Sequence, residues 1–206
     1  MTDREWDRRL RIRTAGREDE AGGDCMPYEP TPYSVLERLR ERGYVTREDH
    51  LLDYGCGKGR VAFFFAETAG CRVTGVDHSR KLIAMAEENR AAFAHAERTS
   101  FVCCRAERYE PRGENMFFFF NPFSEKIFSG IIKRLARYGA RREMALTLFL
   151  YYPSDSFLEQ LSQTEGVEQI DDIDCNDLFS RRSSRERLAV FTLDHREMRL
   201  SASTTP

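Results

Sequence analysis

The chain has 206 residues and a mass of 24.0 kDa, which is one ordinary domain with room for a short appendage. It is 41% hydrophobic and 32% charged, apolar enough for a sizeable core, yet its longest apolar runs, such as Met116 to Phe120, fall far short of the roughly 20 residues of a membrane span. The 32 basic and 34 acidic residues nearly cancel to −2, so bulk positive charge supplies no strong pull toward nucleic acid and no membrane partner is expected.

Taken in chain order, residues 1–27 read as a charged N-terminal arm, flexible in expectation, in which Trp6 and Leu10 could seed a short helix. No apolar segment of a signal peptide opens the chain, and the expected location is the cytoplasm. Residues 28–200 read as one domain and 201–206 as a disordered tail. Thr31-Pro32 predicts a helix start, with Thr31 as cap and Pro32 in the first turn, and Val35, Leu36 and Leu39 at helical spacing. Apolar runs then alternate with amphipathic stretches. Strands are predicted at His50–Tyr54, Cys71–Val76, Phe101–Cys104, Met116–Phe120 and Ala145–Tyr152, with helices at Lys58–Thr68, Ser79–Ala94, Glu125–Tyr138 and Asp155–Gln163. The last strands, Val167–Ile173 and Leu188–Leu193, are joined by a polar Ser-Arg link with no helical pattern, so the final strand is expected to run antiparallel. Such alternation predicts an α/β fold: a Rossmann-like sheet of seven mostly parallel strands, with helices on both faces.

The six cysteines show no C-x-x-C pair and the four histidines no ligand spacing, so no metal site is expected; Cys103 and Cys104 read as small buried residues on opposite faces of a strand. The strongest signal is Asp53-Tyr-Gly55-Cys-Gly57-Lys-Gly59, a strand entering a glycine-rich turn that opens a helix. Glycines there let backbone approach a ligand and aim N–H groups at it. Arg60 stands where a dinucleotide fold places its third glycine, which disfavours a nicotinamide oxidoreductase. Asp53, at a strand end, suits a cationic amine. Asp77, at the end of the next strand, can accept from both hydroxyls of a ribose.

These residues resemble the class I S-adenosylmethionine-dependent methyltransferases, whose first motif matches Asp53-x-Gly55-x-Gly57-x-Gly59 and whose second-strand acid matches Asp77. The resemblance covers roughly Thr31 to Leu193. It implies S-adenosyl-L-methionine as cofactor, with Gly55 and Gly57 against its methionine part, Asp53 near its amino group, Asp77 on its ribose and His78 beside adenine. Where many members carry an Asp-Ala pair, this chain has Arg105-Ala106, which leaves adenine to the backbone of Ala106 and to Glu107. Asn121-Pro122-Phe123-Ser124 is similar to the Asn-Pro-Pro-aromatic motif of enzymes that methylate planar nitrogens, one proline short. It makes Asn121 and Phe123 candidates for positioning the acceptor, with Asn121 also beside the cofactor and Tyr151 near the same rim.

As a whole the chain resembles bacterial standalone methyltransferases of unassigned substrate. It shares the Tyr28-to-Leu39 lead-in, the Asp53-to-Val61 turn and Tyr151-Tyr-Pro-Ser-Asp155. Tyr28, Thr31 and Tyr33 in that lead-in are candidate lid and cofactor residues. The expected function is methyl transfer to an unidentified acceptor, a small molecule before protein or RNA. The alternatives are a catalytically silent nucleoside-binding module and a protein or RNA N-methyltransferase.

Overall fold

The computed structural model describes residues 1–17, 28–120 and 123–194. Seven strands, β1 (His50–Tyr54), β2 (Arg72–Asp77), β3 (Thr99–Cys103), β4 (Met116–Phe120), β5 (Leu146–Tyr151), β6 (Val167–Asp174) and β7 (Arg187–Leu193), form one sheet in the order β3-β2-β1-β4-β5-β7-β6. β3 to β5 are all parallel to β1, whereas β7 pairs antiparallel with both β5 and β6. The predicted antiparallel finish is therefore present. β7 is inserted between β5 and β6, and the pairing Tyr151↔Leu188 brings the segment before β7 beside the end of β5.

The helices are α1 (Asp3–Leu10), α2 (Tyr33–Glu41), α3 (Arg60–Thr68), α4 (Arg80–Ala92), α5 (Glu125–Arg142) and α6 (Asp155–Ser162). Strand alternation divides the core between the two faces of the sheet. Phe118 and Phe149 pack with Leu36, Phe63, Phe64 and Phe65 on one face, and Phe117, Phe119 and Leu148 pack with Phe128, Leu135 and Phe157 on the other. Because the chain leaves β1 toward β2 on one side and returns to β4 on the other, the strand order reverses at β1. The carboxyl ends of the strands open a crevice at such a point.

The described part of the N-terminal arm is ordered. Thr2 and Glu5 form a reciprocal capping box at the start of α1. Trp6 is 4% exposed, lies on Tyr33 and Phe64, and donates from Nε1 to Glu37. Leu10 and Ile12 are buried too. The expectation of a flexible arm fails here because the apolar residues share one helix face and find a hydrophobic groove, while the arginines lie on the other side. Residues 18–27 and the 201–206 tail fall outside the described residues.

Two smaller expectations are corrected. Pro32, not Thr31, holds the cap position of α2, with no side-chain cap bond; Thr31 is buried, and its carbonyl accepts from Arg60. Cys103 is exposed and Cys104 half-buried, since β3 is an edge strand with one side open.

Candidate active site

The ends of β1, β2, β4 and β5 converge on a cavity of about 540 Å³. Its wall includes Asp53, Gly55, Asp77, His78, Ala106 and Glu107, all of them predicted site residues. Backbone bonds from Gly55 and Cys56 to the Val76 carbonyl (2.8 and 3.1 Å) lash the turn after β1 to β2. Asp77, 7% exposed, accepts from the Gly57 N–H at 3.0 Å on one oxygen and from the Ser79 N–H at 2.8 Å on the other. Each oxygen keeps a further acceptor position, so the carboxylate is fixed in place without being used up.

The three glycines divide their work. Gly55 lines the cavity. Gly57 (φ +53°) is roofed by the Tyr28 ring, whose Cε2 would lie 2.1 Å from a Cβ there, and Gly59 (φ +88°) admits Phe101 and Phe63 at 2.7 and 2.8 Å. At Gly57 and Gly59 the missing side chains let aromatic rings close on the turn. Tyr28 is held by a 2.6 Å bond from its hydroxyl to the Thr14 carbonyl, with Lys58 Nζ 4.9 Å from the ring centroid.

Thr31 lines the cavity but Tyr33 does not: it is fully buried and donates to Asp7 at 2.8 Å. Between them lies Arg60, 2% exposed and 4.4 Å over the Tyr33 ring. Its Nε donates to Thr14 Oγ1 at 2.7 Å, and its Nη1 to Asp3 at 2.5 Å and to the Thr31 carbonyl at 3.1 Å. Asp7 braces this cluster by accepting from the Thr14 N–H and hydroxyl. The N-terminal segment therefore builds one wall of the site.

Two residues that line the cavity test the fit of a nucleoside sulfonium. Asp53 Oδ2 and Arg60 Nη2 are buried and have no hydrogen-bond partner among the described residues. Burial, and then the charge of Asp77, pushes the Asp53 carboxyl up to about 8. Buried polar groups left this way are costly unless a ligand completes them. An orphaned acid and an orphaned guanidinium in one wall complement an α-amino acid zwitterion, which the methionine part of S-adenosylmethionine supplies. Arg60→Gln is accordingly expected to weaken S-adenosylhomocysteine binding about tenfold, the scale of one charge-assisted bond, and to leave 5′-methylthioadenosine, which lacks the amino-acid part, unaffected in calorimetric titration. An equal loss for both ligands would refute the assignment.

At the other end the wall is aromatic: Phe120, Phe123, Tyr151, Tyr152 and Phe179, with Ile127. The Tyr151 hydroxyl donates to Glu186 at 2.9 Å. Tyr152 has a left-handed backbone (φ 52°), unusual for a bulky residue, and Arg185 clamps it by lying 4.3 Å over its ring and donating to the carbonyls of Tyr152 and Pro153. Asn121, expected here as a positioning residue, lies outside the described residues with Pro122. Phe123 lines the cavity, edge-on to Tyr54 at 6.2 Å.

Nothing in the sequence marked Arg60 as a ligand candidate, nor Phe120, Arg185 and Glu186 as part of the site. Among the described residues no group of three metal-ligating side chains occurs, and no helix is long and apolar enough to cross a membrane.

Residues 51–137 match the family model of the methyltransferase domain. Solved structures with this fold include an RNA methyltransferase from Salinibacter ruber in complex with S-adenosyl-L-homocysteine (TM-score 0.58, 16% identity, covering 81% of this chain and 94% of that one). Others are a putative rRNA-methylase from Clostridium thermocellum (TM-score 0.57, 16% identity, 81% and 98%) and a TehB-like S-adenosylmethionine-dependent methyltransferase from Corynebacterium glutamicum (TM-score 0.54, 18% identity, 77% and 86%). No curated protein sequence matches this chain.

Proposed function

We propose that this chain, a class I S-adenosylmethionine-dependent methyltransferase, transfers the methyl group to a small organic acceptor bound against the aromatic end of its cavity. The observation that carries this reading is the continuity of one cavity from Asp53 and Asp77 to Phe120, Tyr151 and Tyr152, walled on both sides by side chains of this chain.

Bound S-adenosylmethionine supplies a methyl carbon already activated by its sulfonium. The protein's part is then to hold and orient, with little covalent work of its own. Asp77 would take the ribose hydroxyls, Asp53 and Arg60 the amino-acid end, and His78, Ala106 and Glu107 the adenine side. Phe123 and Tyr151 would fix the acceptor's approach, and the aromatic walls exclude water from the reacting atoms. Cytoplasmic location belongs to the same reading.

The test is to incubate the protein with S-adenosylmethionine and either a panel of small amines, phenols and carboxylic acids, or folded RNA, or protein extract, following S-adenosylhomocysteine release. Turnover confined to small molecules is expected. Turnover on RNA or protein alone would overturn the acceptor class, and tight cofactor binding with no turnover on any would favour the silent binding module.

A further inference from the structure

The aromatic end of the cavity carries more than ring faces. Of the cavity's charged residues, Glu186 bonds the Tyr151 hydroxyl, Arg185 lies on the Tyr152 ring, and the Glu29 charge acts on the Tyr151 phenol. Arg185 also donates from Nε and Nη2 to carbonyl oxygens of the chain. Glu186 accepts the Tyr151 hydroxyl, and the negative charges of both Glu186 and Glu29 bear on that phenol, which burial above all holds well above its usual pKa. Phe120 packs 4.7 Å from Tyr151, and Tyr152 follows at 6.2 Å, so the rings stand around the acidic group as adjoining walls. Ring faces carry negative quadrupole density. Two acids set among them make a site that attracts a cation and repels an anion.

Resting on the function proposed above, we infer that the acceptor is a basic amine, bound as its ammonium ion between Glu186, Glu29 and the rings of Phe120, Tyr151 and Tyr152. The left-handed Tyr152 fits this role: its strained backbone, stabilised by Arg185, turns the residue after β5 into the cavity wall. The reaction balances. The ammonium nitrogen gives one proton to the Glu186 carboxylate, its freed lone pair forms the new N–C bond as the C–S bond breaks, and the bond pair stays on sulfur. The product leaves as a methylated ammonium, and Glu186 returns its proton to solvent.

Three probes with one ring and three charges test the inference: 2-phenylethylamine, 2-phenylethanol and 3-phenylpropanoate, each titrated calorimetrically into the protein saturated with S-adenosylhomocysteine. The amine should bind about tenfold more tightly than the alcohol, and the acid least tightly, as expected for a partly desolvated cation between rings and carboxylates. In a Glu29→Gln/Glu186→Gln variant, which keeps an acceptor for the Tyr151 hydroxyl, the amine's advantage over the alcohol should fall to about threefold or less while S-adenosylhomocysteine binds as before. The inference is wrong if the amine does not bind, if the alcohol or acid equals it, or if its preference survives in the variant. Failure of S-adenosylhomocysteine itself to bind is a different result, seen before any probe is added, and it removes the cofactor reading on which the inference rests.

Discussion

Replacing Asp77 with alanine is expected to weaken S-adenosylhomocysteine binding by about a hundredfold or more, the largest loss of any single substitution in this site. Two effects add. On the proposed function the variant gives up two charge-assisted hydrogen bonds from the ribose hydroxyls, each worth about 1.5–3 kcal/mol. It also frees the Gly57 and Ser79 N–H groups that Asp77 now accepts, and with them the link between the glycine turn and the start of α4. Asp77→Asn separates the two. It keeps the shape and one acceptor oxygen, so one of the two backbone bonds from Gly57 and Ser79 should persist, while the charge is lost and affinity falls to an intermediate level. Calorimetric titration gives the affinities, and thermal unfolding of the ligand-free proteins reports whether the turn has loosened. Retention of binding within about tenfold in the alanine variant would show that Asp77 is a structural acceptor only.

Asp77 also shows how much of the site could be read from sequence. Its position at the end of β2 and its distance from the glycine turn are local facts, and so is the strand–glycine–helix pattern that identified the fold. The unbroken apolar run Met116 to Phe120 likewise announced a strand buried on both faces. Arg60 was legible only as an obstacle to a dinucleotide motif. Its placement on the wall depends on Thr14 and Asp3, more than forty residues earlier, and a sequence pattern does not show that α1 will dock. Trp6 and Leu10 were visible; the groove of Tyr33 and Phe64 that receives them was not. Glu186 had no signal at all. It reaches the cavity because β7 inserts beside β5, and no local spacing encodes that pairing. Gly57 and Gly59 were recognised for the right conformational reason, but the aromatic rings that fill the space left by their missing side chains were not foreseeable from the motif.

Asp53 gives the second large effect, and it is read by pH. Burial and the nearby charge of Asp77 raise its carboxyl to about 8, so near neutrality the ligand-free protein holds it mostly protonated. A cofactor ammonium pairs with the ionised form. Binding must then expel a proton, and affinity should rise from about pH 6 to pH 8 with a slope approaching tenfold per unit, flattening above. Asp53→Asn has no proton to lose there and should bind more weakly but with a flat profile. Because both proteins meet the same ligand, the ligand's own titration cancels in their ratio. The same shift fixes a sign for stability. The folded-state value lies above the ordinary value of 3.8, so Asp53's contribution is complete below about pH 4 and is lost as the pH rises through about 8. Ligand-free wild type should therefore lose thermal stability relative to Asp53→Asn across that interval, and saturating S-adenosylhomocysteine should restore much of the difference by giving the carboxylate its partner. Parallel stability curves for the two proteins would mean that Asp53 ionises normally in the cavity, and the pairing of its orphaned oxygen with an ammonium would lose its physical basis.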